Sequence, residues 1–272
     1  MSGRVLVVLD FSGTLSLGAV RFAEEGILRA ALVESGLWEL GVDSLETFWR
    51  EVVDPTWEVA GTTRCGYGAA LSRRVRALAQ ARGLQPEQED LRARAEAFVA
   101  RYLAHSTIDP AWGPLLRELA GWPGVTTVVA TDHYAEATAH IVGQLGAMGV
   151  AAAAALEGGA RVLVANSADL GAFKADRAFW ERLRPVLGEE RLRRVVLVDD
   201  FGANEGALDS YGDRYRVERR VAETVTVVGG VLGAPVEVFC FWLADRRGES
   251  GAHEVLVREA AGFVRRAVEG QA

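Results

Sequence analysis

Four short apolar runs, each closed by polar residues, set the rhythm of the chain. Val5 to Leu9 (VLVVL) stops at Asp10, and Val125 to Ala130 (VTTVVA) stops at Thr131-Asp132. Arg161 to Ala165 (RVLVA) precedes Asn166, and Val195 to Val198 (VVLV) stops at Asp199-Asp200. Continuous β-branched runs of this length read as strands buried on both faces of a parallel sheet. Helical stretches lie between them, Tyr134 to Gly146 after the second run and Asp176 to Leu187 after the third. Strand alternating with helix predicts an α/β fold with a doubly wound parallel, Rossmann-like sheet. In such sheets ligands bind at the carboxyl ends of the strands, where this chain places its polar residues.

The rhythm breaks between residues 16 and 112. That stretch holds four helical patterns, Gly18–Glu34, Ser44–Val52, Ala69–Ala81 and Pro86–Ala104, and almost nothing strand-like. It reads as an α-helical cap domain inserted after the first strand, with hinges near 15–18 and 108–114. The core domain is then 1–15 with 113–272. The middle of the insertion, Asp54 to Gly68, reads as a loop because Pro55, Gly61, Gly66 and Gly68 punctuate it. The alanines at 151–155 read as a helix end or a packed loop. Beyond Gly212, Thr224–Val228 and Val236–Leu243 look like strands, and only the first suggests an extension of the main sheet. Glu254–Val268 reads as a closing amphipathic helix.

Composition narrows the function classes. A net charge of −7 and no basic face argue against nucleic acid as a partner. Cys65 and Cys240 offer neither a zinc spacing nor a disulfide framework, which fits a reducing compartment. The apolar run before Asp10 is too short for a signal peptide or a membrane span, so the expected location is cytoplasmic. Of 30 Lys and Arg residues, Lys174 alone is lysine. An Arg-biased genome accounts for the bias but not for the one exception.

Four strand ends carry candidate chemistry. Asp10-Phe11-Ser12-Gly13-Thr14 puts a carboxylate, a covalent nucleophile in phosphoryl transfer, before a turn whose amides can approach phosphate oxygens. Thr131-Asp132-His133 offers a hydroxyl and a helix start, an anion site or simply a helix cap. Lys174 ends the stretch Asn166 to Lys174 and supplies a compact ammonium where an arginine would hold charge differently. Asp199-Asp200-Phe201-Gly202-Ala203-Asn204-Glu205 pairs two carboxylates suited to a hard cation such as Mg²⁺.

Taken together and in this order, these residues resemble the haloacid dehalogenase-like (HAD) superfamily of hydrolases. Asp10 to Thr14 resembles its DxDGT motif and Thr131 its Ser/Thr motif. Ser167 to Lys174 is similar to its lysine motif, Asp199-Asp200 to its acidic motif. The run DDFGANEGA is much like that of the epoxide-hydrolase-type phosphatases. The resemblance spans about residues 4 to 212 and includes the helical cap. It implies Asp10 as nucleophile, Thr131 and Lys174 as phosphoryl-holding residues, and Mg²⁺ on Asp10, the Ser12 carbonyl and Asp200, with Asp199 beside them. Gly13, Asp132, His133 and Asn204 are the expected substrate-side residues of the core. Trp57, Arg64 and Tyr67 are those of the cap.

One departure matters most. The family's phosphatases carry a second Asp two positions after the nucleophile, as general acid and base, and Ser12 stands there instead. A serine hydroxyl cannot titrate near pH 7. Asp132 and His133 are the nearest substitutes. Phosphonate-cleaving relatives need a cap lysine, which this chain lacks. Dehalogenating relatives have an aromatic at that position and need no metal. The sequence therefore predicts a Mg²⁺-dependent hydrolase of a small organic phosphate. The alternatives are a 2-haloacid dehalogenase-type hydrolase with a halogenated substrate, or a binding protein that kept the fold and lost turnover.

Overall fold

The computed structural model describes residues 3–205, 214–246 and 251–270. Gly206 and Ala207, the end of the acidic run, lie outside the described residues, as does Gly212. The chain opens with β1 (Arg4–Asp10), the expected first strand. Its residues alternate between two cores: Val5, Val7 and Leu9 face one, Leu6 and Val8 the other. A strand apolar on both sides belongs in the middle of a covered sheet, and β1 lies between two parallel neighbours.

The insertion follows a tight turn at Asp10–Ser16. It runs through α1 (Leu17–Arg21) and α2 (Glu25–Glu34), then a helical turn at Leu45–Thr47. A π-helical segment, Phe48–Val53, leads directly into α3 (Asp54–Ala60). α4 (Tyr67–Ala81) and α5 (Gln88–His105) complete it. The expected loop from Asp54 is thus helical as far as Ala60. Pro55 is the second residue of α3, and the chain stays helical through it. The insertion buries a cluster of its own, with Phe22, Leu32, Leu71, Val75 and Phe98 inside, and only Tyr134 joins it from the core side. The entering and returning segments touch. Asp109 N–H donates to Leu15 O at 2.9 Å, and a side chain at Gly18 would strike the His105 carbonyl.

The chain returns through α6 (Gly113–Gly121), β2 (Val125–Thr131) and α7 (Glu136–Ala147). Then come β3 (Ala152–Ala154), β4 (Val162–Asn166), the short α8 (Ser167–Leu170), α9 (Arg177–Leu183) and β5 (Leu192–Asp199). α10 (Arg214–Leu232), β6 (Val236–Cys240) and α11 (Ala252–Glu269) end it. The six strands form one parallel sheet in the order β3-β4-β2-β1-β5-β6. Helices cover both faces: α6, α7 and α11 pack on one, α9 and α10 on the other. Among the described residues no helix is long and apolar enough to cross a membrane.

Three expectations are corrected. The alanine stretch holds β3, an edge strand on β4, since backbone pairing there outweighs alanine's helical preference. Thr224–Val228 is helical, inside α10. Val217, Val228 and Val231 are buried and Val221 is half-buried, a helical spacing that overrides a locally strand-like run. The sheet is extended instead by Val236–Cys240, which pairs with β5 as β6.

Candidate active site

The register of the strands brings the four motifs to one edge of the sheet. Asp10 pairs with Ala130 across β1 and β2, Thr131 with Asn166 across β2 and β4, and Leu9 with Val198 across β1 and β5. Asp10, Thr131 and Asp199 therefore end neighbouring strands on the same side. Past β4, Asn166 caps α8, accepting from Ala168 N–H at 3.3 Å, and Gly171 ends it in the left-handed region (φ +70°). The chain is thus turned back over β2. Lys174 is held there at both backbone ends: its N–H donates to Asp132 Oδ1 at 2.7 Å, and its carbonyl accepts from Trp180 Nε1 at 2.8 Å.

Its Nζ donates to Asp10 Oδ1 and, at 3.0 Å, to Asp199 Oδ2. Asp10, Asp199 and Asp200 are 4%, 4% and 2% exposed, and each offers an oxygen within 4.8 Å of the others. Three buried carboxylates thus crowd together, and one ammonium reaches two of them, Asp10 and Asp199. Burial, resisted by Lys174 and reinforced by Asp199 and Asp200, raises the Asp10 carboxyl well above its usual range. Burial, with Asp199 and Glu205 adding, pushes Asp200 up to about 7. Burial alone would lower Lys174, but Asp10, Asp199 and Asp132 outweigh it and hold the ammonium charged. Two buried polar atoms at the sheet edge have no partner: Asp10 Oδ2 and Thr131 Oγ1. An oxygen cluster with excess negative charge is a donor set that fits a hard divalent cation.

The turn after Asp10 is committed in part. Gly13 N–H donates to Ser16 O at 2.9 Å, so that amide is engaged within the turn. Gly13 adopts φ +81°, and a Cβ there would lie 2.4 Å from Asp200 Oδ2. Only glycine lets the two motifs pack this closely. Thr14 Oγ1 accepts from Asp200 N–H at 3.0 Å, and Asp200 takes N–H donors from Gly202 at 3.1 Å and Asn204 at 2.9 Å. Asn204, expected beside substrate, uses its amide within the protein: Nδ2 donates to Gly13 O and Phe241 O, and Oδ1 accepts from Leu243 N–H. Ser12, two positions after Asp10, is half-buried.

Asp132 and His133 take different places. Burial pushes Asp132 up to about 6, and its Oδ1 accepts the Lys174 amide. Burial lowers His133 to about 4, so it is neutral at pH 7. Its Nδ1 accepts from Tyr134 N–H at 2.9 Å, which leaves the proton on Nε2, 2.8 Å from the Tyr102 hydroxyl. Both ring nitrogens are engaged.

The three residues singled out in the insertion lie along its seam with the core. Trp57 stacks on Phe173, the residue before Lys174, at 5.7 Å and meets Tyr134 edge-on at 5.2 Å. Tyr67 lies flat on Tyr134 at 3.8 Å. Arg64 Nε pairs with Asp169 Oδ1 at 2.9 Å. The sequence did not single out Tyr102, Tyr134, Phe173, Glu136 or Asp169. Tyr134 and Phe173 adjoin motif residues, and that adjacency was the available signal. Glu136 and Asp169 look like ordinary acids in the first turn of a helix.

A central parallel strand ending in a buried Asp, a helical insertion directly after it, and a lysine and an acidic pair converging on that Asp settle the architecture. The fold is α/β, with one all-parallel six-stranded sheet covered by helices on both faces. No protein-family model matches the chain, and no curated protein matches it. Two solved structures are similar in shape. One is a 2-haloacid dehalogenase from Pseudomonas syringae pv. Tomato DC3000, with 24% identity, a TM-score of 0.48, and 72% of this chain and 78% of that one covered. The other is a predicted HAD-like family hydrolase from Porphyromonas gingivalis, with 11% identity, a TM-score of 0.43, and 88% and 91% covered.

Proposed function

We propose that the chain is a Mg²⁺-dependent hydrolase that transfers the phosphoryl group of a small organic phosphate to Asp10 and then to water. One observation carries this reading: Asp10, Asp199 and Asp200 crowd together in a buried site, with the Lys174 ammonium on Asp10 and Asp199. A metal-free nucleophile next to one lysine would not call for two further buried carboxylates, which cost stability unless a cation offsets them. Asp10, the Ser12 carbonyl and Asp200 would hold Mg²⁺, with Asp199 steering Lys174. When bound, the ion neutralises charge on the transferring phosphoryl group.

The rest of the chemistry falls to the chain's own groups. Asp10 attacks phosphorus in line, the ester P–O bond breaks, and the leaving oxygen departs with its electron pair and takes up a proton. Water then attacks phosphorus, the bond to Asp10 breaks, and phosphate is released. Lys174 and the unpartnered Thr131 hydroxyl hold phosphoryl oxygens. With Ser12 where an acid would stand and His133 neutral and engaged, Asp132 is the neighbouring group whose range suits proton transfer. The helical insertion acts as a cap, and its Trp57 with Phe173 offers a flat apolar surface to the organic part of the substrate.

Ser12 favours a second reading. A departing halide needs no proton, so a halide-releasing hydrolase with an ester on Asp10 would not miss the acid. Both readings are tested by phosphate release from a panel of phosphate esters, and halide release from 2-haloacids, with Mg²⁺ and with EDTA. The first predicts phosphate release that needs Mg²⁺ and disappears in Asp10→Asn. Halide release undiminished by EDTA would replace it with the second. Turnover of neither panel would leave the fold serving as a binding protein.

A further inference from the structure

The back of the turn that carries Asp10 is fastened to the C-terminal part of the chain. Gly13 O accepts from Asn204 Nδ2 at 2.7 Å, and the neighbouring Thr14 O accepts from Trp112 Nε1 at 3.2 Å. Both donors lean on Phe241, just past β6. Asn204 Nδ2 also donates to Phe241 O at 2.8 Å, and the buried Phe241 ring packs on Trp112 at 5.4 Å. Phe241 is itself pinned to the sheet, its N–H donating to Asp199 O at 2.9 Å. The chain then turns at Trp242, and Leu243 N–H donates to Asn204 Oδ1 at 2.9 Å. Asn204 N–H meanwhile donates to Asp200 Oδ2 at 2.9 Å. The Asn204 side chain therefore joins the nucleophile turn to the segment after β6, with both its donors and its acceptor used, while its backbone N–H ties it to Asp200.

We infer that Asn204 is a positioning residue, which with Phe241–Leu243 as its platform fixes the Asp10–Thr14 turn against Asp200. The inference rests on the reading of Asp10 and Asp200 as the reactive pair. Turn carbonyls pulled backward by Asn204 and Trp112 leave the Asp10 and Ser12 side of the turn facing the ligand. The segment after β6, which carries no motif, is then part of the site's framework. Such outer partners typically change metal affinity or activity about 10- to 100-fold when removed.

The test uses the full chain with Asn204→Asp, which keeps size and the acceptor for Leu243 but loses both donors, and with Phe241→Leu. Leu71→Ala, a core change inside the insertion, is the control for general destabilisation. Hydrogen exchange is followed in peptides covering residues 11–16, and Mg²⁺ affinity by calorimetry with the metal alone. The expected result is faster exchange confined to 11–16 in both site variants, with Mg²⁺ bound at least about 10-fold more weakly in Asn204→Asp. Leu71→Ala should leave both unchanged. Exchange at 11–16 that is unaltered, or that rises only as it does in Leu71→Ala, overturns the inference. So does undiminished Mg²⁺ affinity in the variant when the wild type binds the metal. A wild type that binds no Mg²⁺, with local loosening still seen in Asn204→Asp, keeps the positioning role and removes the Mg²⁺-dependent reading.

Discussion

The Glu136 carboxylate of the core accepts the backbone N–H of Tyr67, the first residue of α4 in the insertion, at 2.8 Å. Its other oxygen accepts from Gly68 N–H at 3.3 Å, so one side chain caps a helix 68 residues away in sequence. A carboxylate satisfies the otherwise unpaired first amides of a helix and meets its positive end. Gly66, at φ +80°, makes the approach possible, since a Cβ there would sit 2.8 Å from Glu136 Oε1. The Tyr67–Tyr134 stack and the Arg64–Asp169 pair lie along the same seam. Glu136→Ala is expected to cost about 1 kcal/mol of stability and to speed hydrogen exchange at residues 61–68 more than anywhere in the sheet. Uniform exchange across both parts would show that Glu136 does not hold the seam.

Lys174 is the only cation contacting Asp10 and Asp199 among the described residues. Removing one partner of a buried charge cluster leaves the others uncompensated, at roughly 3–5 kcal/mol. Lys174→Met should therefore lose stability on that order at pH 7 by chemical denaturation. Mg²⁺ should restore part of it, by mass action on the folded state. A variant as stable as wild type in EDTA would show that Asp10 and Asp199 do not depend on the ammonium.

Two buried groups give opposite pH signatures over one window. His133 is lowered to about 4 by burial. The unfolded chain, with histidine near its ordinary 6.5, binds the extra proton first. Stability from this residue is complete above about 6.5 and is lost as pH falls toward 4, by roughly 3 kcal/mol. Asp200 is raised to about 7, so there the folded state binds the proton first, and its contribution falls as pH rises from about 4 to 7 in the absence of metal. Each is read by difference. Denaturation between pH 4 and 7 in EDTA should show a shallower acid loss in His133→Gln and a better-maintained neutral stability in Asp200→Asn. Parallel curves for wild type and His133→Gln would show that the imidazole is not kept neutral by the fold.

The sheet and the convergence of the motifs were legible because buried parallel strands leave continuous apolar runs, and Asp10, Thr131 and Asp199 end three of them. The misread segments were those where local composition and tertiary context disagree. Ala152–Ala154 is made a strand by its partner β4, and Thr224–Val228 a helix by the wider spacing of its valines. The seam of Glu136, Tyr134 and Tyr67 was not legible, because pairs so distant in sequence leave no periodic trace in either segment. Nor was Asn204's part: its place in the acidic run suggested substrate, and only the position of Phe241 and Leu243 shows where its amide points.

Ser12 is where the sequence and the proposed chemistry pull apart, and it gives the sharpest prediction. It follows Asp10 by two positions, it is half-buried, and its hydroxyl cannot deliver a proton at pH 7. If turnover is limited by protonation of the leaving oxygen, Ser12→Asp supplies the missing acid. General acid help is worth about 10²–10⁴-fold where the leaving group is poor, and little where it is good. The gain in kcat should therefore be large for an alkyl phosphate and slight for a nitrophenyl phosphate, measured with Mg²⁺ on the same preparation. A fourth carboxylate beside Asp10, Asp199 and Asp200 adds repulsion, so the variant should also lean more heavily on Mg²⁺ for its thermal stability. Equal gains on both esters would point to a change in binding rather than proton delivery. A loss on both would mean that the site is built around the serine, for a leaving group that departs without a proton.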